Sequence, residues 1–198
     1  FLGPAPTITP DEITEEMLSK YQCIYIEGYL LVNEPLVRST MEKAKKLGLK
    51  VALDLSNFNI VNAFKGMLED IIPKYVDILF SNESEAEAFT GQKAAEAVHT
   101  LSELVEVSLV TLGKEGALIG SHGQFYSVPA EGGKPVDTTG AGDNFAAGFL
   151  YGQSIGASLV QSARIGSMLA GYVIDVVGPE IPYDKWEQIK LKVKGILA

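Results

Sequence analysis

From Cys23 to Leu112 short apolar runs alternate with segments of helical period, and this alternation limits the fold more than any other feature of the chain. Residues 23–27, 50–55, 76–80 and 107–112 read as strands. Between the first two, residues 34–47 set Leu36, Val37, Met41, Ala44 and Leu47 at helical spacing, with lysines on the opposite face. Residues 62–72, 83–89 and 94–104 supply further helices. Ahead of the first strand, Thr9 caps a short helix with Pro10 at its first position. Strand and helix in this rhythm predict an α/β fold, a mostly parallel sheet with helices on both faces. The rhythm then breaks. Residues 117–119 and 124–128 are short strands joined through tight turns at 113–116 and 122–123, an antiparallel meander at the sheet edge. Helices over 159–176 and 183–197 close the chain, separated by Gly178 and Pro179.

Residues 134–148 stand apart from this pattern. Pro135, Thr138, Thr139, Gly140 and Gly142 lead into a run of helix formers that begins near Ala141, so the stretch reads as a sharp loop feeding a helix N-terminus. Glycines there let backbone approach a ligand without a Cβ in the way. The first amides of the helix lack intrahelical acceptors and favour an anion. Asp143 falls in that same first turn. Amides beside a carboxylate suit a reaction in which negative charge builds on one atom while a proton leaves another. Taken residue by residue, capping and the helix dipole account for a Thr or Asp at such a place equally well.

Charge and size narrow the classes. The 198 residues fit one domain with a sizeable core. A net charge of -9 argues against a nucleic-acid partner, which needs a basic face. Arg38 and Arg164 are the arginines among 16 basic residues, so a bound polyphosphate would rely on amides, lysines and a metal ion. Cys23 lies in an apolar run and reads as a buried free thiol. No apolar run reaches the length of a membrane span, and the expectation is a cytoplasmic protein without membrane partners.

The run from Asp137 to Phe145 (Asp-Thr-Thr-Gly-Ala-Gly-Asp-Asn-Phe) resembles the C-terminal signature of the ribokinase-like, or PfkB, family of carbohydrate and nucleoside kinases. The resemblance implies a three-layer ribokinase-like fold and ATP-dependent transfer of a phosphoryl group to an alcohol. It makes Asp143 the base and the amides of Gly140, Ala141 and Gly142 the anion hole, with Thr139 among the nucleotide contacts. Asn82 and Glu85 match the family's Asn-x-x-Glu motif, in which the glutamate helps hold Mg²⁺; the same spacing is also a capping box. Thr111, Gly113 and Gly116 are similar to the nucleotide loop along the ATP phosphates, whereas Lys114 reads as an exposed turn residue. This is no Walker loop, which needs Gly-Lys-Ser/Thr before a helix. Asp137 matches a position that borders a K⁺ site in several relatives, which leaves K⁺ as an optional second cation. Ser167, Ala170 and Gly171 fall where the family packs against adenine, and close helix packing explains their small size as well.

The likeness runs from Tyr25 to the C-terminus, with three motifs in the family's order. The chain starts at Phe1-Leu2-Gly3, which reads as a strand entering from a missing N-terminal part. We therefore expect a single ribokinase-like domain over 1–198, truncated upstream, without the lid through which a homodimer would form. The acceptor is expected to be a small molecule. Residues 53–58 and 75–83 are closer to adenosine-kinase-type members, which favours a nucleoside such as adenosine over a simple sugar. Two alternatives are a nucleotide-binding module without turnover, against which the intact Gly140–Asp143 run argues, and a vitamin-precursor kinase, whose cysteine-containing loop is absent.

Overall fold

The structure, a computed structural model, describes residues 7–198, so the expected entering strand at Phe1–Gly3 lies outside the described residues. Six strands form one sheet in chain order: β1 (Cys23–Glu27), β2 (Lys50–Asp54), β3 (Ile78–Asn82), β4 (Val107–Thr111), β5 (Ala117–Ser121) and β6 (Gln124–Val128). The chain divides into two compact units. The first runs to Val110 and includes Gly120–Phe125; the second comprises Thr111–Ile119 and Tyr126–Ala198.

In the first unit β1, β2 and β3 pair in parallel, with Glu27 opposite Asp54 and Asp54 opposite Phe80 at their C-terminal ends. Helix α1 (Glu15–Leu18) precedes them, α2 (Glu34–Lys46) joins β1 to β2, α3 (Phe58–Ala63) and α4 (Lys65–Tyr75) join β2 to β3, and α5 (Glu83–Thr90) and α6 (Ala94–Ser102) lead from β3 to β4. Asn33 caps α2 by accepting from Leu36 N, and the expected stripe of Leu36, Val37, Met41 and Ala44 is buried while Leu47 is not. Leu53, Leu79 and Leu109 on successive strands have no exposure, each worth about 1.5–3 kcal/mol of burial.

Several expected boundaries move by a few residues, and three of the shifts have a clear local reason. Thr9 does form a box with Glu12, donating N–H and O–H to its carboxylate, but this closes only a turn, and α1 starts later behind Thr14. The helix expected over 62–72 is two helices, because Asn57 caps an earlier start and Phe64 (φ -114°, ψ 20°) leaves helical geometry. The strand expected at 76 begins at Ile78, since Val76 N–H is still held by Ile72 O of α4.

In the second unit a hairpin loop, with Leu112 N–H donating to Gly116 O, leads into β5. The two-residue turn His122–Gly123, which the first unit contains, joins antiparallel neighbours, the expected edge meander, and the chain returns to the second unit at Tyr126. Helices α7 (Ala141–Ser154), α8 (Leu159–Val173) and α9 (Trp186–Leu197) complete the unit. Ile165, Met168, Leu169 and Val173 of α8 pack with Ile181 and with Ile189, Val193 and Ile196 of α9. The α7–α8 contact is backbone on backbone: a Cβ on Gly148 would stand 2.7 Å from Gly166 Cα, and one on Gly152 2.7 Å from Ser162 Cα. Gly148→Ala is expected to cost about 2–3 kcal/mol, because the obstructing atoms are main chain. Gly195→Ala on α9, with nothing within 4 Å, should be neutral or gain about 0.5–1 kcal/mol. Urea unfolding of both variants checks the contrast; equal midpoints would dismiss the close-contact account.

Candidate functional site: the turn into helix α7 and the Asn82–Glu85 box

Helix α7 begins at a turn held by its neighbours. Gly140 is its N-cap residue with φ 77° and ψ 4°, a left-handed conformation that glycine adopts without penalty. A Cβ there would also lie 2.7 Å from Pro179 Cβ. No side chain caps the helix. The orphan amides of its first turn are thus left to the solvent side, where Gly142 and Asp143 are exposed. A Cβ on Gly142 would meet nothing within 4 Å. Of the three amides expected to form an anion hole, that of Ala141 donates to Thr138 O at 3.2 Å, so it is shared with the turn.

Asp137 organises the loop. One carboxylate oxygen accepts from Thr139 N (2.9 Å) and Thr139 Oγ1 (2.7 Å), the other from Gly178 N (2.9 Å). The bond from Gly178, then those from Thr139, hold its carboxyl below the usual range, so it is ionised at neutral pH. Thr139 belongs to the same turn and its hydroxyl is committed to Asp137.

The remaining expected nucleotide residues of this unit divide into two places. Thr111, Gly113 and Gly116 belong to the β4–β5 hairpin, where a Cβ on Gly116 would come within 1.9 Å of Val128 O. Ser167 and Gly171 lie on α8 beneath the segment 129–133. Ser167 Oγ donates to Pro129 O (2.9 Å) and accepts from Glu131 N (3.0 Å), and a Cβ on Gly171 would fall 1.8 Å from Glu131 O. Their small size is therefore used by this loop. Beside it, Gly132, Gly133, Gly171, Tyr172, Lys185 and Lys192 are among the residues lining a cavity of about 250 Å³.

In the first unit Asn82 and Glu85 form the capping box of α5 at the end of β3. Asn82 Oδ1 accepts from Glu85 N (3.0 Å), while Asn82 N and Nδ2 donate to the Glu85 carboxylate at 2.8 and 2.6 Å. Glu85 is only 4% exposed. Burial pushes its carboxyl up to about 7; Asn82 N–H opposes this, and neighbouring Asp54 adds to the rise. Asp54 is itself fixed by Tyr25 Oη (3.1 Å) and Ser56 N (2.6 Å).

A carboxyl whose native value lies above its unfolded 4.5 holds its proton more tightly when folded. Its contribution to stability is full below about 4.5 and is lost as pH rises through about 7. Glu85→Gln is expected to flatten this part of the pH dependence, read from urea midpoints between about pH 5 and about pH 8. Identical pH profiles for the two proteins would contradict the raised value.

Asn144 and Pro179 beside the α7 turn, and separately Asp54 beside Glu85, were given no role from sequence. Asn144 sits inside the Asp137–Phe145 run, but its partners become visible only in three dimensions. Among the described residues no three His, Cys, Asp or Glu gather so as to hold a metal ion, and no helix is long and apolar enough to cross a membrane.

Comparison with known proteins bears on the family and the fold. The model of the pfkB family carbohydrate kinases matches residues 3–186. The adenosine kinase of Saccharomyces cerevisiae is 32% identical over 201 residues, covering 93% of this chain and 59% of the relative. Among solved structures, a probable sugar kinase from Rhizobium etli superposes with a TM-score of 0.89 at 29% identity, over 96% of this chain and 59% of that one. The adenosine kinase of Sinorhizobium meliloti gives 0.88 at 28% identity, over 94% and 59%. The fold is thus ribokinase-like, a mixed sheet with helices and an antiparallel edge, and the chain spans about 59% of the length of these relatives. With that share of their length matched over nearly all of its own, this chain belongs to the pfkB family of carbohydrate kinases.

Proposed function

We propose that the protein takes part in moving the γ-phosphoryl group of ATP to the hydroxyl of a small acceptor, with a nucleoside such as adenosine favoured. The observation that carries this reading is the uncapped start of α7, where Gly142 opens onto free space and Asp143 is exposed beside it. The adenosine kinases among the similar proteins support a nucleoside. The probable sugar kinase supports a simple sugar as the second reading.

In the proposed reaction the acceptor oxygen forms a bond to the γ-phosphorus as the bond from that phosphorus to the bridging oxygen breaks, and ADP leaves with the electron pair. Asp143 orients the hydroxyl and takes its proton late, when bonding to phosphorus has made it acidic. The amides of Gly140 and Gly142, with that of Ala141 shared with the turn and that of Asp143 next in line, meet the charge on the transferring group. Asp137, spent on the loop, keeps those amides in place. Thr111, Gly113 and Gly116 are assigned to the nucleotide phosphates.

Mg²⁺ would neutralise phosphate charge when bound. Both Glu85 oxygens accept from Asn82, and among the described residues no three carboxylate, His or Cys groups gather, so a bound ion would rest mainly on substrate phosphates and its own waters. Glu85 is the residue assigned to it, and gives up its proton to serve. The test is ADP release from Mg·ATP over a panel of nucleosides and sugars. Release that depends on one acceptor supports the kinase and identifies its substrate. ATP binding with no release for any acceptor would favour a nucleotide-binding module instead.

A further inference from the structure

We infer that Asn144 is a positioning residue, whose side-chain amide ties the first peptide of α7 to the Gly178–Pro179 segment and so aims the anion-binding amides. This rests on the phosphoryl-transfer reading above and adds to it a residue that neither touches the nucleotide nor carries the proton.

Three observations meet at this point. Gly140 O accepts two bonds from one residue, Asn144 N at 2.9 Å and Asn144 Nδ2 at 2.9 Å. The same Nδ2 donates to Pro179 O at 3.3 Å. From the other side, Asp137 holds Gly178 N at 2.9 Å, and Gly140 itself packs where a Cβ would collide with Pro179. Gly178 and Pro179 are thereby each fastened to the loop that opens α7, one by Asp137 and one by Asn144.

The consequence follows from peptide planarity. The Gly140 carbonyl and the Ala141 N–H belong to one rigid trans unit and point in opposite directions. Two donors on the carbonyl therefore fix the direction of that N–H, and with it the entry geometry of the next two amides. An ordinary first turn is held by a side chain at the N-cap, which would itself consume the amides. Here the turn is held from its carbonyl side, and the amides of Gly142 and Asp143 stay available while that of Ala141 is shared with Thr138 O. Preorganised donors of this kind stabilise developing charge because nothing has to reorient during the reaction.

The test uses the 198-residue protein with two readouts. The first is binding of Mg·ADP with and without fluoroaluminate, a mimic of the transferring phosphoryl group, by calorimetry. Wild type is expected to bind ADP more tightly with fluoroaluminate present. Asn144→Ala should keep ADP affinity within about twofold and lose about tenfold of that tightening. Asn144→Ser, which can still bond Gly140 O but cannot span to Pro179, should lose less. The second is amide hydrogen exchange at Ala141 in the nucleotide-free protein, expected to quicken about tenfold in Asn144→Ala. Unchanged exchange and unchanged tightening in Asn144→Ala would overturn the positioning role. Absence of tightening in wild type would instead overturn the phosphoryl-transfer reading, and the exchange rates would still decide what Asn144 does.

Discussion

Asp143→Asn is expected to leave Mg·ATP binding within about twofold while lowering acceptor-dependent ADP release by about 10²–10⁴-fold. The substitution keeps size, shape and one acceptor oxygen, and changes only the capacity to take a proton. Asp143 is exposed in the first turn of α7, so no core packing depends on it. Loss of its charge there removes a favourable dipole interaction of about 0.3–1 kcal/mol, too little to unfold a domain. A fall in turnover with intact binding therefore reports chemistry rather than folding. In a loose transition state the incoming hydroxyl acidifies only as its bond to phosphorus forms, so a carboxylate that orients it and accepts the proton late is sufficient. An Asp143→Asn protein with undiminished turnover would move the base elsewhere and leave Asp143 as a dipole partner of the helix.

Much of this site was readable from the residues alone, because its parts are local. Asp137, Thr139, Gly140 and Asp143 lie within seven positions, and a loop that enters a helix leaves its signature in consecutive residues. The Asn82–Glu85 box was readable for the same reason, and the structure has it as a complete cap around a buried glutamate, so the local role is present whichever further role it has. What sequence left open depends on distant chain. Ser167 and Gly171 were compatible with a flat base or with packing, and the loop at 129–133 that occupies them is more than thirty positions away. Asn144 reaches Pro179 across 35 positions. Element boundaries moved where one residue changed allegiance: Phe64 splits a periodic run into two helices, and Val76 remains with the helix before it. Periodicity cannot register either, because both apolar faces continue through the break.

Gly140 and Gly142 look alike in sequence, yet alanine is expected to act on them in opposite ways. At Gly140 a Cβ meets Pro179 at 2.7 Å and the backbone is left-handed, so Gly140→Ala should destabilise the protein by about 1–3 kcal/mol. At Gly142 the space is open and the residue is already helical, so Gly142→Ala should fold as well as wild type or gain about 0.5–1 kcal/mol. Function is expected to run against stability. If the open space at Gly142 receives the transferring phosphoryl group, a methyl there displaces it, and turnover should fall by about 10²–10³-fold, as when an oxyanion donor is lost. Thermal unfolding and ADP release measured on the same preparations separate the two effects. Gly142→Ala that is both stable and active would mean the space is merely solvent, and the anion site would have to be sought away from this helix. Gly142→Ala that is stable and inactive admits no explanation from folding, because among the described residues nothing beyond the helix itself comes within 4 Å of the added carbon; the missing contact must belong to a ligand.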